Sequence, residues 1–281
     1  MKFKDIYTVA VIGAGTMGQG IAQVCAHAGY RTLLFDVNKD LLAKAIESIG
    51  DNLTGVVRKG KLSAIEKEQI QNRIVPVEQL ADVKADLIIE AIVENLAIKQ
   101  KLFQELETIN NGNAILATNT SSISVMQIAS TLKNPAACIG LHFFNPAHVM
   151  KLVEIVSGDL TDPKLIDVIM AFAKKLGKIS VLAKDSPGFI VNRVARHYYV
   201  ESLKLLEENV ADVESIDKLL RSAGFKMGPF ELMDLIGLDT NLAVTTSVYN
   251  GFHKAIKFRP SKIQQQKVTD GHLGRKTGKG F

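Results

Sequence analysis

Several polar residues in this chain stand among apolar neighbours, in positions where they could do chemistry. His142 lies in Gly140-Leu141-His142-Phe143-Phe144-Asn145-Pro146, and Glu154 lies in the middle of Lys151-Leu152-Val153-Glu154-Ile155-Val156. A carboxylate buried within an apolar run needs a partner. With His142 as that partner, the pair is an imidazole oriented by a carboxylate, the usual form of a general base working near neutral pH. The pattern alone leaves a plainer alternative equally open, with Glu154 on a solvated face and His142 a satisfied core histidine. Asn119-Thr120-Ser121-Ser122 follows the apolar run 115–118. It therefore falls at a strand end, where open α/β sheets place their ligands.

A second chemistry is written near the start. Gly13-Ala14-Gly15-Thr16-Met17-Gly18 is a G-x-G-x-x-G sequence between an apolar run, 7–12, and a helix-period run, 17–28. The triplet is weak evidence by itself, and its context gives it weight. Gly13 would allow the tight turn, Gly15 the approach of a pyrophosphate, and Gly18 close packing of helix on strand. The helix N-terminus would then face the phosphates. Asp36 ends the next strand, 23 residues after Gly13. A carboxylate there suits the adenosine ribose and would repel a 2′-phosphate, so the expected cofactor is NAD rather than NADP. Lys39 is close enough to soften that discrimination.

These residues need a scaffold. Short apolar runs at 7–12, 32–35, 87–91, 115–118 and 139–143 read as buried strands, separated by amphipathic stretches such as 40–55 and 98–109. Strands alternating with helices imply a doubly wound, mainly parallel Rossmann-type sheet. Further strands are expected at 152–156 and 179–182, flanking a helix from Pro163 to Leu176. At Asp185-Ser186-Pro187-Gly188 the pattern changes, and from Phe189 onward every segment has helical period. The expected organisation is a dinucleotide-binding domain at 1–186 and an all-α domain at 187–281.

Composition narrows the field. Of 281 residues, 47% are hydrophobic and 22% charged, an ordinary globular balance. No run approaches the roughly 18 apolar residues of a membrane span, and the first strand begins too early for a cleavable leader. Cys25 and Cys138 belong to no paired motif and read as buried thiols, so neither disulfide nor metal use is expected. The expected setting is the cytoplasm. The net charge of +5 would help gather a polyanionic substrate. Without an arginine-rich run, zinc spacing or aromatic RNA motif, nucleic acid is not expected as a partner.

Longer motifs then support a resemblance. The segments are Gly13–Gly18, Val93-Glu94-Asn95, Asn119–Ser122, Gly140–Pro146, Met150–Val156, Pro187-Gly188-Phe189-Ile190-Val191-Asn192-Arg193, Met227-Gly228-Pro229-Phe230-Glu231 and Gly237-Leu238-Asp239. Together they resemble the 3-hydroxyacyl-CoA dehydrogenase family, nearest its short bacterial 3-hydroxybutyryl-CoA members. The resemblance implies NAD as cofactor, an acyl-CoA thioester as substrate, and a homodimer formed through the helical domain. By motif position it implies His142 as acid/base, Glu154 as its orienting partner, Ser121 at the substrate's 3-oxygen and Asn192 completing the site. Glu94, Lys99, Asn145 and Lys276 match positions that approach the cofactor. Asn52 and Lys59 match positions that meet coenzyme A.

Three readings compete with these. His148 is a rival base and is read as a rim residue. Arg58-Lys59-Gly60-Lys61 is either a solvated turn or a phosphate contact. At the level of activity, the alternatives are a related dehydrogenase of free 3-hydroxy acids and a recruited, non-catalytic structural protein.

Overall fold

A computed structural model describes residues 6–281. The chain divides into two units, one ending at Asp185 and the other running Ser186–Phe281. The first is built on one eight-stranded sheet: β1 (Thr8–Ile12), β2 (Arg31–Phe35), β3 (Ile74–Val77), β4 (Leu87–Glu90), β5 (Ile115–Thr118), β6 (Cys138–Phe143), β7 (Leu152–Ser157) and β8 (Ile179–Lys184). Their order is β3-β2-β1-β4-β5-β6-β7-β8. Strands β1 to β6 are mutually parallel, β7 runs antiparallel to β6, and β8 is parallel to β7.

Helices α1 (Thr16–His27), α2 (Lys39–Arg58), α3 (Ala64–Asn72), α4 (Leu96–Ile109), α5 (Val125–Ala129) and α6 (Pro163–Lys175) complete this unit. The central strands β1, β4 and β5 are apolar and buried along nearly their whole length, as a parallel sheet covered on both faces requires. Helix starts are marked in the sequence. Asn38 accepts from Asp40 N and Leu41 N, and Ser63 with Glu66 forms a capping box. Asn95 accepts from Ile98 N and so fixes the start of α4.

One strand, β3, was not expected. Its sequence, Ile-Val-Pro-Val, contains a proline that cannot donate to a ladder, and it is tolerated because β3 is the sheet's edge.

The second unit contains α7 (Val191–Glu207), α8 (Val213–Ser222), α9 (Pro229–Ile236), α10 (Leu238–Gly251) and α11 (Lys262–Thr269). Its core gathers Tyr199, Leu203, Ile216, Phe230, Met233 and Leu238. Asp217, on α8, accepts from the backbone N–H groups of Phe230 and Glu231 and thereby caps α9 from a distance. The Phe281 ring packs at a tilt on Phe230, 4.8 Å between centroids, and its N–H donates to Asp234. No helix among the described residues is long and apolar enough to cross a membrane.

Candidate active site

Strand order reverses on either side of β1, whose neighbours are β2 and β4. Open α/β sheets bind ligands in the crevice at such a point, outside the carboxyl ends of the strands. The glycine-rich loop leaves β1 there. Gly13 has φ +104° and donates its N–H to the Phe35 carbonyl at 2.8 Å, and a Cβ on it would meet the Ala91 carbonyl oxygen at 2.6 Å. A Cβ on Gly18 would run into the Gly13 carbonyl. Gly15 differs, because no protein atom lies within 4 Å of where its Cβ would be. Turn geometry demands the first glycine and helix packing the last, and the space beside the middle one is open.

Gly15 is also the N-cap of α1, which no side chain caps. A helix start left without a side-chain cap is suited to receive an anion. Ala14 is buried, Met17 packs against the core, and Thr16 is exposed. Asp36 accepts from Ala14 N at 2.7 Å and Asn38 N at 2.8 Å. It therefore ties the loop to the end of β2 while its carboxylate keeps further acceptor capacity. These residues fit the pyrophosphate and ribose of NAD.

The next strand ends carry charge that sequence reasoning only partly located. Glu90 closes β4, is fully buried, and accepts from Lys99 Nζ at 2.5 Å, Ile92 N at 2.7 Å and the Thr118 hydroxyl at 2.7 Å. Its signal was a lone acid ending an apolar strand. Lys99 is only 1% exposed and also reaches Glu94 at 3.2 Å. Glu94 in turn accepts from the Thr120 hydroxyl at 2.5 Å, the Ser121 and Ser122 N–H groups at 3.0 and 3.2 Å, and the Ser122 hydroxyl at 3.0 Å. Burial works to raise the Glu94 carboxyl, but Lys99 and these hydrogen bonds outweigh it and hold it below the usual range. Glu94 thus shapes the loop that presents Ser121, and Lys99 is enclosed between two carboxylates.

His142 and Glu154 face each other across the β6–β7 pair in direct register. Nδ1 of His142 lies 2.7 Å from Oε2 of Glu154, with the carboxylate fully buried and the imidazole nearly so. The antiparallel turn-back of β7 produces this opposition. The Phe144 ring packs on the imidazole at 4.6 Å. Asn119 accepts from Phe143 N at 2.8 Å, fastening the loop after β5 to the end of β6.

The remaining residues are dispersed. Asn145 and His148 are exposed beyond β6, and burial followed by nearby Lys178 lowers the His148 imidazole's pKa. Asn52 is exposed on α2, and Lys59, also exposed, is the C-cap just beyond the helix's last residue, Arg58. Lys39 pairs with Glu78 at 2.6 Å. In the second unit, Asn192 sits in the first turn of α7, and Lys276 pairs with Asp239 at 2.5 Å. The described residues hold no group of three His, Cys, Asp or Glu that could bind a metal.

Known proteins match this chain over its length. Residues 8–186 match the model of the 3-hydroxyacyl-CoA dehydrogenase NAD binding domain, and residues 188–281 that of its C-terminal domain. The chain is 49% identical over 98% of its length to a 3-hydroxyadipyl-CoA dehydrogenase of Escherichia coli (strain K12), and it spans 58% of that relative. A crystal structure of 3-hydroxybutyryl-CoA dehydrogenase from Escherichia coli K12 superposes with a TM-score of 0.96 at 48% identity, covering 99% of this chain and 59% of that one. The (S)-3-hydroxybutyryl-CoA dehydrogenase of Ralstonia eutropha superposes with a TM-score of 0.94 at 38% identity, covering 98% of each chain. With its NAD-binding unit and its helical unit both matched, the chain belongs to the 3-hydroxyacyl-CoA dehydrogenase family, NAD-linked oxidoreductases acting on a CH–OH group.

Proposed function

We propose that the chain interconverts a short (S)-3-hydroxyacyl-CoA and its 3-keto form, with His142 as acid/base and Glu154 as its orienting partner. The observation that carries this reading is the 2.7 Å contact between His142 Nδ1 and Glu154 Oε2 on a sheet whose β1–α1 loop fits a dinucleotide. Bound NAD supplies the acceptor for the hydride leaving C3. The proton is the protein's part. Glu154 holds Nδ1 in its protonated form, so Nε2 takes the hydroxyl proton as the C3–O bond becomes a carbonyl. The buried carboxylate then stabilises the imidazolium. In reverse, the imidazolium returns that proton to the oxygen of the new alcohol.

Ser121, on the loop shaped by Glu94, positions the 3-oxygen, and Asn192 contributes its amide to the substrate. Asn52 on α2 and Lys59 at the helix's C-cap, both exposed, contact coenzyme A in this reading. Exposed Val194, Leu219, Leu235 and Ile256 in the helical unit support a homodimer formed through it. A cytoplasmic setting completes the reading.

The names of the relatives differ at the far end of the acyl group, adipyl in one and butyryl in others. Short chain length is common to both. The decisive variant is His142→Gln, which should keep NAD affinity while kcat falls on the order of 100-fold or more. A near-normal kcat would remove His142 from the mechanism. Oxidation of NADH by free acetoacetate as fast as by acetoacetyl-CoA would remove the thioester from the substrate.

A further inference from the structure

Segment 144–151 joins the strand of His142 to the strand of Glu154 and has no helix or strand of its own. Its middle is a tight turn, in which the N–H groups of Val149 and Met150 both donate to the Pro146 carbonyl, at 3.0 and 2.9 Å. One side chain takes two further carbonyls of this turn. Lys178 Nζ donates to the Ala147 carbonyl at 2.5 Å and to the Met150 carbonyl at 2.7 Å. Lys178 lies between α6 and β8, and its backbone is held on both sides. Its N–H donates to the Ala173 carbonyl at 3.0 Å, and the next N–H, that of Ile179, donates to the Lys151 carbonyl at 2.9 Å. The ammonium therefore projects from a fixed base. Both of its acceptors are neutral, and burial lowers its pKa. Holding this turn costs the fold a partly desolvated charge.

The same turn is seated on the dinucleotide helix. Ala147 is 1% exposed and belongs to the core of the sheet unit. It packs against Gly20 of α1, where an added Cβ would stand 3.2 Å from the Ala147 Cβ and 3.5 Å from its nitrogen. Gly20 is the fifth residue of the helix whose uncapped start suits a pyrophosphate. The turn is thus held from two sides by unlike contacts. One is a pair of charge-assisted hydrogen bonds, and the other is close packing on a glycine.

The course of the cofactor gives this arrangement a purpose. Asp36 ends β2, on one side of β1, and suits the adenosine ribose, while the pyrophosphate belongs at the β1–α1 loop. The base and the hydride acceptor act on one carbon, so the nicotinamide end falls near His142, at the end of β6 on the other side of β1. Segment 144–151 leaves β6 there. It carries Asn145, which is exposed and by motif position approaches the cofactor. We propose that Lys178 is a positioning residue for the nicotinamide half of NAD, fixing the turn 146–150 against α1 and so setting Asn145. This rests on the role of His142 proposed above, which places the reacting end of the cofactor. Lys178 itself touches neither cofactor nor substrate and acts through the turn.

Binding measurements with NADH and ADP-ribose test this, because ADP-ribose has the adenosine, both phosphates and the second ribose but no nicotinamide. Lys178→Met keeps an unbranched stem and removes the ammonium. We expect its Kd for NADH to rise about tenfold, as the loss of such bonds implies, while Kd for ADP-ribose stays within about twofold. Lys178→Gln retains one amide donor group on a shorter stem. It should raise Kd for NADH about threefold, again without moving ADP-ribose, and it decides the matter if Lys178→Met fails to fold. A lysine that only stabilises the sheet unit would leave both constants where they were, and a general disturbance of α1 would raise them equally. Either result overturns the proposal. No catalytic step enters these constants, so loss of the acid/base reading is recognised separately, by a near-normal kcat in His142→Gln.

Discussion

Among the described residues the two units each bury one long cation, and the two cations are finished differently. Lys99 lies between Glu90 and Glu94, so its charge is answered within the fold. Arg196 is solvated by two carbonyls, a hydroxyl and a ring, all of them neutral. Removing the first would strand a fully buried carboxylate, whereas removing the second strands no charge at all. A cation held by carboxylates ties charge to charge, whereas one held by dipoles leaves no uncompensated charge when it is removed.

Urea denaturation is the sharpest way to break this contrast. Lys99→Met should cost about 3–5 kcal/mol, because Glu90 then stays buried without its counter-charge. Arg196→Met should cost less, about 1.5–3 kcal/mol, because its hydrogen bonds go to neutral acceptors and no buried charge is left behind. Equal losses at the two positions would mean that Arg196 is a clamp like Lys99, and the comparison would fail.

Glu94→Gln tests the exposed arm of the first cluster, with an expected loss of about 1 kcal/mol at neutral pH, since solvent reaches this carboxylate. Its pH dependence has a definite sign. The folded-state pKa of Glu94 is lowered from 4.5, so its stabilisation is complete above that value and disappears as pH falls through the folded one. Plots of Tm against pH for the wild type and Glu94→Gln should therefore converge in acid; a constant gap would contradict the charged role. The smallest effect is expected at Lys39, whose pair with Glu78 is exposed on both sides at 71% and 69%. Lys39→Ala should leave the urea midpoint where it was.

Much of this molecule was legible in one dimension, and the exceptions share a cause. The buried strands announced themselves because both faces of a parallel sheet are covered. The helical tail announced itself by losing that alternation after Pro187. β3 stayed hidden because an edge strand needs neither a continuous apolar run nor a full set of donors, and Pro76 argued against it. Within the glycine triplet, Gly13 and Gly18 answer to local contacts, whereas the space beside Gly15 is open.

Pairings between distant residues were the illegible part. Glu94 and Lys99 were read only by motif position, as residues approaching the cofactor, and nothing in their spacing linked either of them to Glu90. For His142 and Glu154 the pattern left two options open, and only the strand register distinguishes them. Local chemistry is written in neighbours, whereas partnership depends on topology.

That register has a consequence for how the proposed base can fail. Side chains on a strand alternate between faces, so alignment of β7 against β6 is a matter of parity. A slip by one residue sends Glu154 through the sheet to the opposite face. A slip by two keeps the face but moves the carboxylate about 7 Å along the strand, out of reach of the imidazole. No intermediate setting exists between them. Insertions or deletions within either strand should therefore sort variants into working and silent classes, and a graded weakening of the base would have to come from side-chain substitutions alone.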